Sequence, residues 1–113
     1  SNTIMYALET HNYLVGILKK ITNHNKRSFS SKYLHFHIPE MYFIYDSRSI
    51  KGIRKFVNMI PKKHQSILGF SNIDSEYAKF YIKCFVLKNQ ITLNYGNSLT
   101  NREIDNLLIN AGK

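Results

Sequence analysis

A chain of 113 residues has room for one domain with one real core, and a hydrophobic fraction of 43% excludes a disordered chain. Sixteen Lys and Arg against seven Asp and Glu give a formal charge of +9 and a pI near 9.7. That excess favours a polyanionic partner, because Lys and Arg release counterions from phosphates; a solvated basic surface is the plain alternative.

Trp is absent and Gly and Pro are few, which points to helices. The lone Cys84 excludes a disulfide framework and suits a reducing cytoplasm, and within its apolar run it reads as a buried structural thiol. No apolar run approaches a membrane span and no signal peptide is visible. The Ser1-Asn2 start reads as an expression scar, so the native chain is open to being longer.

From Thr3 to Thr22, Ile4, Leu8, His11, Val15, Leu18 and Ile21 recur at helical spacing, with Lys19 and Lys20 in the last turns where cations suit the helix dipole. Asn23 to Arg27 is polar and aperiodic, a connecting loop. Ser28 is then an N-cap, and Phe29, Tyr33 and Phe36 form the apolar stripe of a short second helix that stops before Pro39. Glu40 to Tyr45 is mostly apolar and aromatic; a buried extended segment and one helical turn fit it equally.

Asp46 and Ser47 cap a third helix running to Met59 or Ile60, with Ile50, Ile53, Val57 and Ile60 inward and Arg48, Lys51, Arg54 and Lys55 on the opposite face. Pro61 ends it, and Lys62 to Asn72 is read as a loop. Asp74 or Ser75 caps a long helix through Tyr95, with Tyr77, Phe80, Cys84, Leu87 and Ile91 inward and Gly96 as its stop. Thr100 and Glu103 form a capping box, and Leu99 and Ile104 a hydrophobic staple, for a last helix closed by Gly112. The expectation is an all-α, compact five-helix domain spanning the whole chain.

The run Ser28–Phe56 concentrates the chemistry. Lys32 and His35 lie one turn apart on one helix face, and Asp46 stands at the entrance of the basic helix. An amine, a carboxylate and phosphate-holding cations suffice for attack on a sugar C1′, with Tyr42, Tyr45 and the histidines available to an extruded base. The order Ser30-Ser31-Lys32-Tyr33-Leu34-His35-Phe36, Pro39, Phe43-Ile44-Tyr45-Asp46-Ser47-Arg48 resembles, over about a quarter of the chain, the helix-hairpin-helix DNA glycosylases of the 8-oxoguanine type. It also resembles uncharacterised bacterial helical proteins with a K-x-L-H-F…P…I-Y-D-S-R pattern. The glycosylase resemblance implies Lys32 as Schiff-base nucleophile and Asp46 as the essential acid. It lacks the Gly-x-Gly hairpin of that family, since Lys26-Arg27-Ser28-Phe29-Ser30 stands there.

Each residue also has a structural reading: Asp46 as a cap, Lys32 as a solvated side chain, His35 and His37 as hydrogen-bonded structural groups, the aromatics as core. Metal ligation by the two histidines is disfavoured because no Cys or second carboxylate sits at ligand spacing, and no cofactor is expected. The leading expectation is a nucleic-acid-binding domain, DNA above RNA, using Arg48, Lys51, Arg54, Lys55, Lys62 and Lys63 with His35 and Tyr45. The alternatives are base excision through Lys32 and Asp46, and a non-catalytic protein-interaction or phage-defence component.

Overall fold

The computed structural model describes the backbone of residues 2–113 and the side chains from Thr3 onward; Ser1, part of the start read as an expression scar, lies outside them. Among the described residues there are six α-helices and no strand: α1 (Asn2–Thr22), α2 (Arg27–His37), α3 (Ser47–Arg54), α4 (Lys62–Gln65), α5 (Ser75–Tyr95) and α6 (Asn101–Ala111). One helix more than expected forms because Lys62–Gln65, read as loop, makes a helical turn continued by a 3-10 turn over Ser66–Gly69. Also among the described residues, no helix is long and apolar enough to cross a membrane.

The boundaries follow local chemistry. Asn23, at φ 60°, ends α1, and its amide donates to the Lys19 carbonyl at 2.8 Å. Asp46 caps α3 by accepting from the Ser49 amide, and Asp74 caps α5 by accepting from the Glu76 and Tyr77 amides. Both halves of the Thr100–Glu103 capping box are present. Gly96 takes the left-handed conformation, at φ 77°, that closes α5.

α3 is shorter than its periodicity suggests. The chain leaves the helix after Arg54, yet Val57 still reaches the core and Ile60 packs against it. The apolar period therefore persists through non-helical backbone, and Pro61 ends nothing. Along α1 the inner stripe is Ile4, Leu8, His11 and Val15; Ile21 is 74% exposed, so the stripe leaves the core before the helix ends.

Two features hold the helices together. α3 lies backbone to backbone against α6: a Cβ on Gly52 would overlap the Leu108 carbonyl, and one on Gly112 the Arg48 carbonyl. The second is the stretch Met41–Tyr45, a turn residue followed by irregular backbone, buried at Tyr42 and Phe43. Side chains from the surrounding helices satisfy its backbone. Tyr81 donates its hydroxyl to the Met41 carbonyl (2.6 Å) and Tyr77 to that of Phe43 (2.7 Å). The Asn101 amide donates to the Tyr42 carbonyl (3.1 Å), and the Ile44 amide donates to Asp105 (3.2 Å). The Tyr45 amide donates to the Ser31 hydroxyl (2.9 Å), while the Ser28 hydroxyl donates to the Tyr45 carbonyl (2.6 Å).

These bonds overturn the expected orientation of α2. Its inner face is Ser30, Ser31, Leu34 and His35, while Phe29, Tyr33 and Phe36, read as the core stripe, are 54%, 48% and 81% exposed. Ser28 does not cap the helix, which begins at Arg27; its hydroxyl is used on the Tyr45 carbonyl instead. The Met41–Tyr45 backbone asks for hydrogen-bond donors and acceptors, and Ser28, Ser31 and His35 of α2 supply them.

Candidate nucleic-acid interface

The third helix turns its apolar side to α6 and the core, where Ser49, Gly52 and Ile53 are buried. Arg48, Lys51, Arg54 and Lys55 are thereby left exposed. One of them has an internal partner: the Lys55 ammonium donates to the Ala111 carbonyl at the end of α6, where a cation also suits the helix dipole. Lys62 and Lys63 are exposed on α4. Burial, and after it the Lys63 charge, lower the pKa of the adjacent His64.

The fold adds two cations that sequence spacing did not single out. Lys79 and Lys83, one turn apart on α5, line a groove of about 170 Å³ between α3 and α5 together with Arg54, Tyr45 and Glu76. Glu76 stands 3.9 Å from the Lys79 ammonium, an exposed pair worth little in water. The only sequence signal was their i, i+4 spacing on the outer face of a long helix, which solvated lysines share.

Acidic side chains are absent from much of this part of the chain. From Ser47 through Ile73 the chain holds six Lys and Arg and no Asp or Glu. The acids that flank it are engaged as helix caps: Asp46 at α3 and Asp74 at α5, the latter also accepting the Arg27 Nε at 2.8 and 2.9 Å. Glu103 closes the capping box and Asp105 is buried. Among the described residues, Arg27–Asp74 and Lys79–Glu76 are the ion pairs that Arg and Lys make.

His35, expected at the interface, lies in the interior at 3% exposure, which places it out of reach of a surface ligand. Its Nδ1–H donates to the Tyr42 carbonyl at 2.8 Å, and its Nε2 faces the Asp105 carboxylate at 3.7 Å. Burial pushes the Asp105 carboxyl up to about 6, against the opposing pull of the Ile44 amide and the neighbouring imidazole. This pair, invisible to spacing because 70 residues separate its members, is closed to solvent and serves the Met41–Tyr45 stretch. Cys84 is buried, and burial pushes its thiol well above the ordinary range, away from nucleophile chemistry.

Tyr45 is half-buried, with the Arg27 guanidinium 5.7 Å from its ring centre, and it lines the cationic groove. Lys32 is exposed on α2. Ser28 and Ser31 tie that helix to Tyr45, the residue before Asp46, but neither Lys32 nor Asp46 lines the α3/α5 groove. Among the described residues, no three His, Cys, Asp or Glu side chains converge as a metal group. No protein-family model matches the chain, and no curated protein or solved structure shows significant similarity to it.

Proposed function

We propose that this domain binds nucleic acid through its acid-poor face, with Arg48, Lys51 and Arg54 on α3, Lys62 and Lys63 on α4, and Lys79 and Lys83 on α5 against phosphates. The observation that carries the reading is the shared groove of Arg54, Lys79 and Lys83, three cations contributed by two helices to one concave surface against the single acid Glu76. Cations that converge from separate elements suit a phosphate backbone, whereas a merely solvated stripe needs no partner helix. Lys55, bonded to α6, is a lesser contributor. The α3/α5 groove does not carry the alternative of base excision through Lys32 and Asp46, since neither residue lines it.

The test is a salt titration of binding to a labelled DNA duplex, wild type beside Lys51→Ala/Arg54→Ala. Each lost phosphate contact should lower the log–log salt slope by about 0.9, so the double variant should flatten it by about 1.8. Binding with an unchanged slope would place the contacts elsewhere. No binding at low salt would remove the reading and leave a protein-interaction role.

A further inference from the structure

The outward face of α2 takes no part in that phosphate-facing surface. Phe29, Tyr33 and His37 follow one another at four-residue spacing along an eleven-residue helix, and Phe36 flanks the last of them. Their rings contact each other rather than the core. Phe29 and Tyr33 stack with centroids 6.4 Å apart, Tyr33 and His37 lie 4.5 Å apart, and Phe36 meets His37 edge-on at 5.4 Å. The face is open, since the three apolar rings are between about half and four-fifths exposed. An exposed row of this kind is costly in water and marks an interaction surface.

Charge selects the occupant. Between Glu9 and Glu40 the chain has no Asp or Glu, while it holds Lys19, Lys20, Lys26 and Lys32 besides Arg27, whose charge is met by Asp74. Lys32 is exposed on the same helix, between the ladder and its inner face. A second copy of the chain would bring like charges together on a protein already at +9. A polyanion with flat apolar groups matches both the rings and the cations.

Resting on the nucleic-acid reading above, we infer that Phe29, Tyr33, Phe36 and His37 form a stacking platform for the unpaired bases of single-stranded nucleic acid, with Lys32 against its phosphates. Every base offers a π-face to such a row, whereas a duplex keeps its bases stacked inside, so the platform discriminates strand state rather than sequence.

Labelled oligo(dT) and a duplex of equal length, titrated separately into wild type, Tyr33→Ala/Phe36→Ala and Tyr33→Leu, test this. The substituted side chains are exposed, so the fold is retained. The double variant should lose about tenfold in single-strand affinity per ring and keep its duplex affinity. Tyr33→Leu, which keeps apolar bulk without a ring, should lose about tenfold too. Single-strand binding equal to wild type in these variants, with the Lys51→Ala/Arg54→Ala defect intact, overturns the platform and leaves the phosphate face standing. Failure of wild type to bind either probe at low salt overturns both. A wild-type dimer that the double variant converts to monomer, without change in single-strand binding, would assign the face to self-association instead.

Discussion

His11 shows how one buried side chain shapes the behaviour of the domain. Its ring stacks on Tyr77 with centroids 3.8 Å apart and its Nε2 meets the Arg27 carbonyl at 3.1 Å. It is fully buried, and burial lowers its pKa to about 4, against weaker pulls from the Arg27 carbonyl and the Asp74 carboxylate that favour the proton, while the Arg27 charge opposes it. Between pH 6.5 and about 4 the unfolded chain therefore carries protons on His11 that the folded chain refuses. Stability falls as pH falls through that window, by up to about 3 kcal/mol from this group. Asp105 works the other way. Its raised pKa gives a contribution that is present below pH 3.8 and lost as pH rises through about 6. The difference between wild type and His11→Gln isolates the first effect. In urea unfolding at a series of pH values, the variant should show a flatter fall below pH 6.5, and parallel curves would refute the assignment.

At the scale of elements, glycines of opposite use make the packing testable. Gly52 sits where α3 and α6 meet, and an added Cβ would overlap backbone that cannot swing aside, so Gly52→Ala should cost about 1–3 kcal/mol despite its better helix propensity. Gly16 lies mid-way along α1 with open space around it, so Gly16→Ala should stabilise by about 0.5–1 kcal/mol. Denaturant midpoints for the two variants should move in opposite directions; a shared direction would mean that the α3–α6 contact is looser than its geometry. The caps of α3, α5 and α6 were legible in the sequence because Asp46, Asp74 and the Thr100–Glu103 box act within three residues of their targets. The orientation of α2 was not. Hydrophobicity assigned Phe29, Tyr33 and Phe36 to the core, whereas the inner face was decided by the hydrogen-bonding needs of Met41–Tyr45, a tertiary demand that no local pattern encodes. The end of α3 was hidden for a related reason: Val57 and Ile60 keep the helical period after the helix has stopped.

Across the whole molecule, charge and structure are divided between residue classes. Asp46, Asp74 and Glu103 serve helix caps and Asp105 is buried, which leaves Glu9, Glu40 and Glu76 as the exposed acids against the exposed cations from Ser47 to Ile73 and the groove-lining Lys79 and Lys83. The basic stripe of α3 could be read from spacing, but its continuation onto α5 needed the fold, since Arg54 and Lys83 are 29 positions apart in the chain. Histidine at position 35 carried both an interface and a structural reading from sequence, and its bond to the Tyr42 carbonyl draws it inward. At 13.3 kDa the domain is small enough for residue-resolved amide spectra, mapped during titration with a short DNA duplex. The proposed interface requires shifts concentrated at Arg48–Lys55, Lys62–His64 and Lys79–Lys83, fading as salt is raised. Shifts confined to α6 and the end of α5, or none at low salt, would contradict it.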